Sequence, residues 1–310
     1  MRTSGGFSLG PVVMKYTKPA LSLDAHIELM ASRGLKIEDK DEARHYLTYI
    51  GYYRLSGYMR ALQIEEGRQD HKFADATTFD DVLDLYVFDR KLRLLVLDAI
   101  ERIEVSMRTV ISDHMAYNYG AHWYLSPEHF KEDFKHDEFL ETVRREIGYD
   151  DKPRDIYISH YRNVYSDPEL PPGWMVFEAL SFGKVSKLFT YLKTEDKRNI
   201  ASAFKLKHPF FKSWVHTLAS LRNICAHHGR VWNRVFGVKP SRPTAMKKNI
   251  PQSNRFYAQA VIIMDLLNTI APHSEWGHRL QDLMQEHPKV DIARMGFPEN
   301  WHEHSIWGMT

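Results

Sequence analysis

Arg222, Asn223, His227 and His228 fall within the run Leu-Arg-Asn-Ile-Cys-Ala-His-His-Gly-Arg-Val-Trp-Asn-Arg at 221–234. On an α-helix at about 100° per residue, with Arg222 at zero, His216, Ser220, Asn223 and His227 form a polar stripe between about 80° and 160°. Arg230 joins them if the helix continues past Gly229. Trp214, Leu218, Leu221, Ile224, Cys225 and His228 fall between about 200° and 320°, the face that must be buried. An imidazole changes charge near neutral pH. An arginine holds a phosphate through two parallel hydrogen bonds, and an asparagine orients a histidine or bonds a non-bridging oxygen. These groups are the parts needed to cleave RNA without a metal. One removes the ribose 2′-OH proton, the oxygen attacks the adjacent phosphorus, and cations stabilise the pentavalent state. DNA lacks that nucleophile and would be spared.

Spacing alone does not select this pair. Arg followed by His after four to six residues also occurs at Arg108/His114 and Arg154/His160, and a solvent-exposed histidine is the plain alternative for His227. Charge sets the 222–228 pair apart. From Lys197 to Met264, 68 residues, there is no Asp or Glu but 13 Lys and Arg, Arg230, Arg234, Lys247 and Lys248 among them. The rest of the chain holds 29 basic and 40 acidic residues, so a net charge of +2 conceals +13 against −11. Such a window repels itself unless the acidic remainder of the fold or a polyphosphate partner offsets it.

The elements that must position these groups are helical. Apolar residues recur at steps of three and four over 80–117, which predicts one long amphipathic helix or two with a bend. Ser22 and Gly34 bracket a helix over about 23–33. Further helices are expected near 39–50, 52–62, 136–147, 155–165, 184–193, 195–205, 210–228 and 253–271. The proline-bearing stretch 237–251 reads as a basic loop. Residues 1–13 read as a flexible leader, with Met14 a second plausible start. Residues 14–78 form an N-terminal helical segment, 79–272 a helical core, and 273–310 a loosely docking tail.

Composition narrows the class. Of 310 residues, 43% are hydrophobic and 26% charged, which supports an all-α globular fold and excludes wholesale disorder. Cys225 is the one cysteine, so there is no disulfide framework and no Cys-rich zinc site. No apolar run is long enough to span a bilayer and no secretory signal is evident, so a cytoplasmic location and no membrane partner are expected.

The run at 221–234 resembles the signature of Abi-type abortive-infection proteins, within the HEPN superfamily of helical ribonucleases. Tyr-Thr-Lys-Pro at 16–19, Ile-Gly-Tyr-Tyr-Arg-Leu-Ser-Gly-Tyr at 50–58, Phe-Asp-Arg-Lys-Leu-Arg through Glu-Arg-Ile-Glu-Val-Ser-Met-Arg-Thr at 88–109, and Trp-Met-Val-Phe-Glu-Ala-Leu-Ser-Phe-Gly at 174–183 resemble the same family, in order. The resemblance implies a HEPN-like helical bundle and metal-independent RNA cleavage in phage defence or a toxin system. Its motif maps onto Arg222, Asn223 and His227. It further implies a homodimer with a composite site, no cofactor, and an RNA or protein antitoxin as a possible partner. Some HEPN toxins carry a Tyr two residues after the His, modified by a partner enzyme; here that position is Gly229.

Other residues have their own readings. Arg230, Arg234, Lys247 and Lys248 are expected to track an RNA backbone. Glu104 and Arg108 have favourable i, i+4 spacing, with Glu101 one turn earlier; they form a surface ion pair or hold Arg222 or His227. Cys225 beside His227 reads as a small buried residue rather than a nucleophile. His302, Glu303 and His304 lack a fourth ligand, so no metal site is expected. Tyr46, Tyr49, Tyr52, Tyr53 and Tyr58 suit a core or a dimer surface. The functional expectation is a metal-independent endoribonuclease. The alternative is a non-catalytic helical protein that binds RNA or an antitoxin through the basic 197–264 surface.

Overall fold

The computed structural model describes residues 17, 19–64, 70–153, 155–250 and 254–307. The expected leader at 1–13 lies outside them. Among the described residues there are twelve α-helices linked by short 3-10 turns, no strand, and three isolated bridges, so the fold is all-α. The chain divides into two compact units, Met1–Leu83 and Asp84–Thr310.

The first unit contains α1 (Leu23–Ser32), α2 (Lys40–Tyr49) and α3 (Tyr52–Met59). Ser22 caps α1 by accepting the Ala25 amide at 3.2 Å, and Asp39 caps α2 by accepting the amides of Asp41 and Glu42 at 2.8 and 3.0 Å. Gly51, at φ 86, separates α2 from α3 in a backbone conformation that favours glycine. Ile27, Met30, Ala43, Leu47, Leu55 and Tyr58 are buried. The tyrosine cluster splits: Tyr58 is core, Tyr52 bonds Arg33 and stacks on His26, and Tyr49 and Tyr53 are exposed.

α4 (Phe79–Tyr119) is one unbroken helix of 41 residues. Its apolar register is buried at Leu85, Phe88, Leu92, Leu95, Val96, Ala99, Ile103, Met107, Ile111 and Met115. The second unit continues with α5 (His136–Ile147), α6 (Ile156–Val164), α7 (Gly173–Ala179), α8 (Phe182–Tyr191), α9 (Thr194–Ala203), α10 (His208–Ala226), α11 (Phe256–Ile270) and α12 (Trp276–Glu286). α11 is buried on every face from Phe256 to Met264 and forms the centre of this core. No helix among the described residues is long and apolar enough to cross a membrane.

Two helices were not expected from periodicity. α7 has only seven residues, too few for a repeat to register, and it starts at a tight contact. A Cβ on Gly173 would lie 2.7 Å from Trp123 Nε1, so only glycine fits there. α12 lies in the expected tail, and the loose docking foreseen for that segment is corrected. Trp276, Trp301 and Trp307 are all buried. The Trp276 indole donates to the Leu95 carbonyl at 2.8 Å, and its ring stacks on Trp307 at 6.3 Å. Polar His and Glu residues between the tryptophans had masked this apolar anchor set.

Replacing Trp276 by Ala is expected to destabilise the fold by about 3–5 kcal/mol, the usual cost of emptying a buried aromatic site. Urea melts of wild type and variant measure this; a loss below 1 kcal/mol would mean that the tail is dispensable.

Candidate functional site

α10 presents three faces to three surroundings. Trp214, Leu218, Leu221 and Cys225 enter the core, as the helical wheel requires. Burial pushes the Cys225 thiol up to about 12, so it carries no thiolate and is no nucleophile. A second face carries Pro209, Lys212, Ser213, His216, Ala219, Ser220 and Asn223, which form one wall of a groove of about 820 Å³. The facing wall is α8, through Gly183, Ser186, Lys187, Thr190 and Tyr191. Small side chains on both walls let the helices approach while leaving the groove open. The basic loop is pinned beside it: Trp214 Nε1 donates to Ser241 O and the Ser241 amide to Ser213 Oγ, both at 2.8 Å.

The third face points at α4. Arg222 Nε lies 4.0 Å from Glu104 Oε2, while Glu104 Oε1 accepts from Arg108 Nη2. Arg108 is fixed in turn by the Leu180 carbonyl at 2.8 Å and by Glu178 at 3.6 Å. Glu104 is buried, whereas the Arg222 side chain is about 40% exposed. The contact is made through Nε, at the outer limit of an ion pair, and Glu104 and Arg108 pair with each other on α4 with Arg222 beside them. Glu101 is exposed at the preceding turn and takes no part in this chain of contacts.

The helix stops earlier than the wheel assumed. His227 is the C-cap, His228 takes a left-handed φ of 57°, and the amides of His228 and Gly229 return to Cys225 O and Ile224 O at 3.0 and 2.7 Å. This pair of bonds is the Schellman closure, with histidine where glycine usually stands. The placement of His228 on the buried face is therefore corrected, and the condition for Arg230 to join the stripe, a helix running past Gly229, is not met. His228 is exposed, and Arg230 lies in the following loop. Gly229 sits close to the helix end: a Cβ would meet Ile224 Cγ2 at 3.0 Å and Ile224 O at 3.1 Å, so a larger residue would need these neighbours to shift slightly.

The loop after α10 is anchored by a residue that the motif search did not single out. Asp89 of α4 is fully buried. Its Oδ1 accepts the amides of Val231 and Trp232 at 3.0 and 2.7 Å, and Oδ2 pairs with the buried Arg93. Trp232 is held further by Asp291 O at 3.1 Å, and Asn233 by Arg255 at 2.8 Å. The available signal was an acid one helical turn from Leu85, on the buried register of α4.

The sequence candidates thus separate. Asn223 lines the groove, Arg222 stands on the neighbouring face, and His227 is exposed at the helix end. Arg234 donates to Arg230 O at 3.3 Å and lies over the Phe236 ring. Lys247 and Lys248 are exposed on the 244–250 segment and do not line the groove. His304 bonds the Tyr257 hydroxyl at 3.0 Å. Among the described residues no group of three His, Cys, Asp or Glu side chains is placed to hold a metal ion.

An all-α chain whose basic helix ends in Arg-Asn and a capping His defines the class to be matched. The family model of Abi-like proteins matches residues 45–233, and the chain belongs to that family, which points to an abortive-infection-related function. The match takes in α4, α8 and α10 and ends just after the loop held by Asp89. No curated protein and no solved structure matches the chain.

Asp89→Ala would remove the buried partner of Arg93 and the acceptor of two amides, and is expected to cost about 3–5 kcal/mol, as for other broken buried pairs. Asp89→Asn, which keeps an acceptor, should cost less. Urea melts give the ranking, and hydrogen exchange should show the Val231 and Trp232 amides losing protection first. Unchanged midpoints would remove Asp89 from this role.

Proposed function

We propose that this protein is a metal-independent endoribonuclease of the HEPN type that acts in abortive infection or as a toxin, in the cytoplasm. The observation that carries the reading is Arg222 held by Glu104 from its inner side, beside Asn223 and the exposed His227, at the end of a groove in the acid-free window. His227 serves as general acid or base at the ribose 2′-OH or the leaving 5′ oxygen. Arg222 stabilises the charge that grows on the phosphorane oxygens, and Asn223 positions the phosphate. Because Glu104 orients Arg222 beforehand, little ordering is left for the transition state. Arg230, Arg234, Lys247 and Lys248 contribute the diffuse positive field that gathers the strand. Glu101 contributes, at most, to the local potential.

Arg222 and His227 are about 140° apart around the helix axis, so one copy does not enclose a scissile phosphate. A second copy, related by a two-fold axis near Asn223, supplies the opposing imidazole in an isologous homodimer. An RNA or protein antitoxin that fills the groove would silence it.

Purified protein is expected to cleave bulk RNA in excess EDTA, and His227→Ala to cleave it about 10²- to 10⁴-fold more slowly, the usual share of acid–base catalysis. Activity lost in EDTA and restored by Mg²⁺ would overturn the metal-free chemistry. Wild-type protein that binds RNA and never cuts it would favour the alternative of a non-catalytic RNA- or antitoxin-binding protein.

A further inference from the structure

Lys197 of α9 is only 4% exposed. A buried ammonium is ordinarily matched by a carboxylate. Among the described residues none lies within ion-pair distance of Lys197; its Nζ donates to the Thr190 carbonyl at 3.3 Å. The adjacent Asp196 is engaged elsewhere, by His114 at 2.9 Å and the Tyr119 hydroxyl at 3.0 Å. What acts on Lys197 is more positive charge, from Lys131 and Lys212, with Asp133 the acid that partly offsets them. His208, the first residue of α10, feels Lys197, Arg198, Lys131 and Lys212 together. Burial first, and then these neighbours, push Lys197 down to about 8 and lower His208 as well.

The fold gathers this charge deliberately close to the groove. The Lys131 amide donates to Tyr191 O at 2.9 Å, and Phe130 bridges to Leu192, so residue 131 is tied to the end of α8. Thr190, Tyr191 and Lys212 line the groove, and the side chains of Lys131 and Lys212 are exposed. The positive end of the 19-residue α10 points the same way. Ammonium groups brought together with only partial compensation from Asp133 repel one another, and a multiply charged tetrahedral anion relieves that repulsion.

We propose that Lys212, which lines the groove, together with Lys131 and Lys197, which are tied to Tyr191 and Thr190 beside it, forms a phosphate-binding subsite at the end of the groove remote from Asn223, filled by a backbone phosphate of the bound RNA strand. The RNA assignment rests on the ribonuclease reading above. Lys212 and Asn223 are eleven residues apart on α10, hence ~16 Å by helix rise, the length of about five stacked nucleotides at ~3.4 Å per phosphate. The subsite therefore grips the strand several nucleotides from the bond that is cut and sets a minimum substrate length.

Two variants test it, Lys131→Ala/Lys212→Ala and Lys197→Met, with inorganic phosphate and a cleavage-resistant 2′-O-methyl RNA of ten nucleotides as probes. Phosphate is expected to raise the melting temperature of wild type and of neither variant. Lys197→Met should melt higher than wild type without phosphate, because a buried unpaired charge is gone. In the double variant, RNA affinity should fall about tenfold, and the log–log salt slope should become shallower by about 0.7 for each lysine lost. Equal phosphate responses in wild type and both variants would overturn the subsite. A lost phosphate response with unchanged RNA affinity and slope would assign the site to free phosphate and overturn its place on the RNA path. Wild-type protein that binds the probe through these lysines yet cleaves no RNA would overturn the ribonuclease reading and leave the subsite standing.

Discussion

A carboxylate with no access to water has to be satisfied from inside the protein, and Asp89 is satisfied by the loop that ends the functional helix. One oxygen takes two consecutive amides, of Val231 and Trp232, and the other takes Arg93. Leaving any of these groups unpaired in the interior costs more than forming the contact gains. The chain after Gly229 therefore has one place to go, and with it the terminus of α10. His227 becomes a cap residue rather than a link in a longer helix, and the core face of α10 turns its opposite side to the groove.

The electrostatics follow the same division of labour. Arg234 and Arg242 donate to the carbonyls of Arg230 and Lys247, and Lys197 to that of Thr190. A carbonyl orients a cation without cancelling it, so the acid-free window keeps its field. Arg222 differs, since a buried carboxylate faces it. That pairing places a fixed charge at one end of the groove, while the lysines gathered around Lys197 place an unmatched one at the other.

Much of this was legible in the sequence because it rests on local rules. The helical stretch of α4 followed from an apolar repeat sustained over its length, which left one helix or two with a bend open, and the N-cap at Ser22 and the stop at Gly34 followed from residue type. The polar stripe of His216, Ser220 and Asn223 does line a groove, since all three lie well inside α10, where the 100° period holds. The same period failed at His228, because a helix end is decided by what the following loop bonds to, and Asp89 lies 142 residues away in sequence. Glu104 was read as either surface or positioning, and its burial beside Arg222 is a product of how α10 packs on α4, which spacing does not record. Lys197 looked like any other cation of the window; its burial depends on how α9 packs, which no periodicity records.

Cys225 gives this arrangement a practical meaning. It is the one thiol of the chain, it lies in the last turn of α10, and the charges nearest to it include Asp89 and Arg93. A protonated sulfur sealed in this way is inert to oxidants and alkylating agents while the helix end is closed. It becomes reactive when the end of α10 opens to solvent. The protein thus carries a single-site chemical clock for local opening, set in the last turn of the helix that also bears Arg222 and Asn223.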